Sequence, residues 1–324
     1  MGSETATAKS MGRGSVIVAG GIVLALAATA VAGLWRVSGD PLALLPQRTA
    51  PMLTGILYET RAGRLSRHVT LSDARLGSIG FTVSLPDPLP DQKLPLVLVL
   101  GGLGTGEHNI RFIEAAGDNA VVGYDWPFPA PFPKGIGALI EIPALRARAL
   151  SVPGQVAAVL NWLSMQPWSD RQRVSIVGFS LGAVAAPAAE RAALREGIDI
   201  RWTVLAYGGV GLGTLVAGNP RVKPAWMRPL LGAGTALLLW PLEPMEHLPH
   251  LTGHFLILTA DNDTIIDPRA SAGLERLTPD PKTIVETIGD HVGTGRDRQA
   301  LLQQAIAVTR SWLTSEGAVN SMPP

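Results

Sequence analysis

From residue 67 onward, polar and apolar positions fall into two alternating patterns. Short runs rich in Val, Ile, Leu and Ala recur at 69–71, 79–85, 96–100, 120–124, 173–177, 202–206, 255–259 and 283–287. Between many of them lie longer stretches with apolar residues at helical spacing, at 107–116, 156–165, 181–195, 269–277 and 298–312. Runs that lack in–out alternation belong to strands covered on both faces. Strand followed by helix, repeated, implies right-handed crossovers. The pattern therefore predicts an α/β fold: a mainly parallel central sheet of about eight strands, helices on both faces, and ligand chemistry at the carboxyl ends of the strands.

The flanks break this rhythm. After a tail at 1–14, no charge occurs between Arg13 and Arg36, and the apolar body at 15–35 is close to the ~20 residues a helix needs to cross a bilayer. It predicts a transmembrane anchor or a signal segment. Ala30-Val31-Ala32 has the small-x-small form that a signal peptidase accepts. Lys9 and Arg13 on one side are matched by Arg36 and Arg48 on the other, so charge does not orient the segment. The expectation is a main domain outside the cytoplasm, anchored or exported. A proline-bearing linker or arm is expected at 36–66, the α/β domain at 67–315, and a C-terminal tail at 316–324. Within the domain, 208–253 is glycine-rich and apolar and predicts a cap or lid inserted between the sixth and seventh strands; its run at 230–242 is too short to span a membrane.

Composition narrows the chemistry. Apolar residues make up 47% and charged residues 16% of the 324, which supports a large core and argues against disorder. With 27 basic against 26 acidic side chains and no basic stretch interleaved with aromatics, nucleic acid is excluded as an expected partner. The absence of cysteine removes disulfides, thiolate metal sites and a cysteine nucleophile. No metal and no cofactor is expected.

Gly178-Phe179-Ser180-Leu181-Gly182 matches G-x-S-x-G, the pattern that places a serine on a sharp strand-to-helix turn. A predicted strand precedes it and a helix of small residues follows. A serine hydroxyl is a poor nucleophile until a base takes its proton, and an acid must orient that base. Behind this elbow the acid and then the base follow in chain order. Of His68, His108, His247, His250, His254 and His291, only His291 follows both the seventh and eighth predicted strands. For the acid, Asp261, Asp263 and Asp267 compete just after the seventh. Asp261 can close its own turn and Asp267, before Pro268, has the form of an N-cap, which leaves Asp263 as the orienting acid. An oxyanion would be held by the N–H groups of Leu181, after the nucleophile, and Leu103, in the glycine-rich turn Gly101-Gly102-Leu103-Gly104-Thr105-Gly106. That turn has no lysine in the Walker position and no G-x-G-x-x-G spacing, so it is no phosphate loop.

Taken together, Gly178–Gly182, the segment from Ala260 to Pro268 and the late Asp290-His291 resemble the α/β-hydrolase superfamily over roughly 67–314. The elbow, with its lead-in Asp170-Arg171-Gln172, looks like that of dienelactone-hydrolase-like and acyl-peptidase-like members. One departure is Gly101-Gly102, where many members carry His-Gly. The resemblance implies a serine hydrolase, carboxylesterase- or lipase-like, that cleaves an ester or related acyl bond through an acyl-enzyme on Ser180. An acyltransferase or thioesterase with the same residues, and a non-catalytic membrane-anchored protein of the same fold, are the alternatives. Trp126 and Phe128 after the fourth strand, with Trp226 and Trp240 in the insertion, are the expected pocket for a hydrophobic substrate, although equally able to pin loops or fill the core.

Overall fold

A computed structural model describes residues 39–321, except 62, 103–104, 112, 114–115, 130, 132–135 and 292–297. The apolar segment at 15–35 lies outside the described residues. Among the described residues, no helix is long and apolar enough to cross a membrane.

The strands are β1 (Met52–Arg61), β2 (Arg64–Asp73), β3 (Gly77–Pro86), β4 (Leu94–Leu100), β5 (Ala120–Tyr124), β6 (Ser169–Phe179), β7 (Trp202–Ala206), β8 (His254–Ala260) and β9 (Lys282–Thr287). They form a nine-stranded sheet in the order β1-β2-β3-β5-β4-β6-β7-β8-β9. The first three strands and the β3–β5 contact are antiparallel, and every pair from β5 to β9 is parallel. All eight predicted strands are present. The ninth, β1, lies in the stretch expected to be a linker, as do the first residues of β2. Edge strands need bury neither face: Met52, Leu53, Leu57 and Tyr58 are all exposed, so the apolar residues of β1 follow no strand period.

The helices are α1 (Gly106–Ile110), α2 (Ile136–Ser164), α3 (Leu181–Arg195), α4 (Leu212–Gly218), α5 (Arg228–Leu238), α6 (Pro244–His247), α7 (Pro268–Leu277) and α8 (Arg298–Ser315). The central strands separate two cores. Leu96, Leu98 and Leu100 pack with α2 and α3, while Val97 and Val99 pack with residues of α1 and α8 such as Ile110, Ala305 and Leu313. Both sides of β4 are thus apolar, the reason its sequence lacks alternation. The main discrepancy is α2, which begins twenty residues before the expected start, 156 against Ile136. It carries Pro143 and Pro153 internally, and proline removes a helical hydrogen bond and normally marks a boundary.

Residues 316–321 are no trailing tail. Ala318 and Val319 are buried, and Asn320 exchanges hydrogen bonds with Asn119 (N–H to Oδ1 2.8 Å, and Asn119 Nδ2 to its carbonyl 3.1 Å). The expected insertion forms α4, α5 and α6 between β7 and β8, closed at its base by Glu243, whose carboxylate accepts the Gly211 and Leu212 N–H groups at 2.7 Å each.

One buried carboxyl group makes stability depend on pH. Glu190 on α3 accepts the Thr203 hydroxyl at 2.7 Å, and burial pushes its pKa up from 4.5 to about 8. Between those values the unfolded chain releases a proton that the folded chain keeps, so this residue's contribution is full below 4.5 and is lost as pH rises toward 8. Glu190→Gln keeps an acceptor for Thr203 without that dependence. Thermal unfolding should show the variant equal to the parent near pH 4.5 and higher in Tm by roughly 5 °C at pH 8; an unchanged difference across that range would show that Glu190 is ionised in the fold.

Candidate active site

In chain order the sheet doubles back at β4, which has β5 on one side and β6 on the other. In open α/β sheets ligand crevices form where the order reverses, outside the carboxyl ends of the strands. Ser180 stands there, directly after β6 and before α3. Its backbone is left-handed, φ 53° and ψ −111°, and its N–H donates to the Ala206 carbonyl at 2.8 Å. The glycines around it answer to close approach. A Cβ on Gly182 would come within 1.7 Å of the Leu100 carbonyl oxygen, and one on Gly178 within 2.6 Å of the Gly182 oxygen. The first turn of α3 therefore rests on the ends of β4 and β6, and only hydrogen fits between.

The structure brings Ser180, His291 and Asp263 together. Ser180 Oγ lies 2.8 Å from His291 Nε2, and His291 Nδ1 lies 2.8 Å from Asp263 Oδ2. Nδ1–H donating to the carboxylate leaves Nε2 as an acceptor for the serine proton. The imidazole is 4% exposed, so this hydrogen-bonded chain is largely shielded from water. The second oxygen of Asp263 accepts the Ile265 and Ile266 N–H groups, at 2.8 Å each, and locks the carboxylate.

The competing aspartates have separate tasks. Asp267 N-caps α7, accepting the Arg269 N–H at 2.8 Å. Asp261 does not close its own turn; it accepts the Gly289 N–H at 2.8 Å and ties the two loops together. Asp290 reinforces that tie, its Oδ1 accepting the Thr264 N–H (2.9 Å), the Thr264 hydroxyl (2.8 Å) and the His291 N–H (2.6 Å).

Leu181 opens α3, so its N–H is among those left without an intrahelical acceptor. Leu103 lies outside the described residues, although both flanks of its turn are held by the residues after β5. The Trp126 indole N–H donates to the Gly101 carbonyl at 3.2 Å, and the Asp125 carboxylate accepts the Gly106 N–H.

Trp126 thus has a bracing task. It is buried and stacks on Phe128, ring centroids 6.1 Å apart. In the insertion, Trp240 is buried, whereas Trp226 is 76% exposed; the expected aromatic wall is split between core and surface. Among the described residues, no group of three or more His, Asp or Glu side chains is arranged to hold a metal.

Sequence reasoning passed over Tyr207, which follows β7 directly. Its ring meets the His291 imidazole edge-to-face, centroids 6.0 Å apart at 72°. The signal that could have found it is its place directly after β7, at the carboxyl end of a central strand, where ligand crevices form.

This sheet order, elbow and loop arrangement define the α/β-hydrolase fold, and solved structures agree. Acetyl xylan esterase 1 from Thermoanaerobacterium sp. superposes with a TM-score of 0.60 at 15% identity, covering 82% of this chain and 89% of its own. An acetyl xylan esterase from Paenibacillus sp. R4 gives 0.55 at 16% identity, with 85% and 93% covered. The S-formylglutathione hydrolase from Agrobacterium tumefaciens gives 0.51 at 18% identity, with 76% and 94% covered. No family model and no curated protein matches the sequence.

Proposed function

We propose that the chain is a serine hydrolase that cleaves an ester or related acyl bond through an acyl-enzyme on Ser180. The observation that carries this reading is the hydrogen-bonded chain from Ser180 Oγ through His291 to Asp263, placed at the sheet's switch point. His291 Nε2 takes the serine proton as Oγ attacks the carbonyl carbon, Asp263 stabilises the imidazolium, and the Leu181 N–H with one from the Leu103 turn holds the oxyanion. Nε2 then returns the proton to the leaving alkoxide. Water, deprotonated by the same nitrogen, releases the acid and restores Ser180.

The similar structures are named as an acetyl xylan esterase and an S-formylglutathione hydrolase, an ester and a thioester name, which supports cleavage of an ester or related acyl bond. The preference proposed here is for a hydrophobic ester, supported by the apolar insertion with Trp226 and Leu230 on its surface. The apolar 15–35 segment supports a membrane-held or exported protein; a mature N-terminus at Gly33 would mark cleavage.

A fluorophosphonate probe should label the native protein and leave Ser180→Ala unlabelled, and turnover across an ester panel should rise with acyl length. Absence of labelling would refute the hydrolase reading, and a maximum at acetyl would refute the substrate preference alone.

A further inference from the structure

Tyr207 is placed at some cost. Its φ of 55° is a left-handed conformation that a bulky residue rarely adopts, and Ser180 is the other non-glycine among the described residues to share it. Two hydrogen bonds hold it there. Its N–H donates to the Leu258 carbonyl of β8 at 2.8 Å. The Thr287 hydroxyl, ending β9, donates its single proton to the Thr259 carbonyl at 2.9 Å, so the Tyr207 hydroxyl is the donor in the 3.0 Å bond to Thr287 Oγ1. Burial, with the Asp263 charge adding to it, raises the phenol pKa and keeps that proton in place. The residue thereby joins the carboxyl ends of β7, β8 and β9.

Tyr207 borders two environments. Its ring meets the His291 imidazole. It also lines a cavity of about 360 Å³ whose described lining includes Asp261, Asp263, Glu275 and Glu286 but not His291. The described groups facing the imidazole include Ser180, Asp263, the Tyr207 ring and, through the His291 N–H, Asp290. Asp261, Glu275 and Glu286 are among the residues that line the cavity.

We propose that Tyr207 is the positioning residue of the base: its ring fixes the His291 imidazole between Ser180 and Asp263 and walls it off from the acidic cavity. This rests on the hydrolase reading above. The ring does the work, and the strained backbone is what brings so large a side chain against the histidine.

Tyr207→Phe, Tyr207→Leu and Tyr207→Ala should be compared with the parent for kcat, KM, the pH profile of kcat/KM and the fluorophosphonate labelling rate. With alanine, a base left free to tilt should lower kcat and the labelling rate by about 10- to 100-fold with KM within about twofold. Water and the cavity carboxylates should also move the acidic limb to higher pH, by about half a unit or more. Phenylalanine should stay within about threefold of the parent with an unmoved limb. If alanine fails to fold, leucine decides, since it fills the space without a ring; a kcat loss of about fivefold or more at constant KM is expected. Native kcat and an unmoved limb in alanine or leucine, or a loss in phenylalanine as large as in alanine, would overturn the proposal while a labelled parent leaves the hydrolase reading intact. An unlabelled parent would overturn both.

Discussion

Asp263→Asn will reduce kcat by about three to four powers of ten, and His291→Ala by at least as much, while Asp267→Asn stays within about threefold of the parent. The three substitutions separate residues that are close in sequence but differ in task. An amide at 263 can still accept the Ile265 and Ile266 N–H groups through its oxygen, so the loop should hold its shape. What it cannot do is accept from Nδ1–H with a charge, or stabilise the imidazolium that forms as Ser180 attacks. At 267 the only observed work is capping α7, and asparagine caps about as well as aspartate. Steady-state turnover of a chromogenic ester measures all three. Near-native kcat in Asp263→Asn would assign the orienting role elsewhere.

Gly182→Ala will prevent the chain from reaching a stable native state. The added carbon would lie 1.7 Å from the Leu100 carbonyl oxygen and 2.5 Å from the carbonyl carbon. Overpacking a core usually costs about 1–3 kcal/mol because side chains shift, but here the obstruction is the backbone of a central strand, so the cost should exceed that range. Little soluble protein is expected, or a Tm lower by about 10 °C or more, with fluorophosphonate labelling lost in proportion. Gly234→Ala is the control. It sits within α5 with nothing within 4 Å of the added carbon, so alanine should raise stability by up to about 1 kcal/mol through helix propensity. If Gly182→Ala melts like the parent, the elbow is looser than the observed contact.

Much of the fold was legible because buried parallel strands write themselves as unbroken apolar runs, and the predicted 120–124 and 202–206 coincide with β5 and β7. Elements without such a signature were missed. Exposed β1 has no buried face to reveal it, and α2 hides behind two prolines that usually end helices. The segment at 316–321 was read as a tail because nothing local shows that Asn320 pairs with Asn119, about two hundred residues away.

The sequence by itself determined the α/β class and the strand-to-helix turn at Ser180, and it singled out Asp263 and His291, which stand beside that serine. Each follows from local covalent facts: a glycine pair around a serine, a strand before it, and one histidine late enough in the chain. Eliminating Asp267 as an N-cap was likewise a local argument, and the cap is there. Tertiary structure decided what depends on residues meeting across strands. It gave Asp261 and Asp290 the task of tying the two loops, joined the Trp126 indole to the Gly101 carbonyl, and set Tyr207 against His291. These contacts join side chains that are dozens of residues apart. Their energies arise only when the ends of β7, β8 and β9 come side by side, and no periodicity along the chain encodes that.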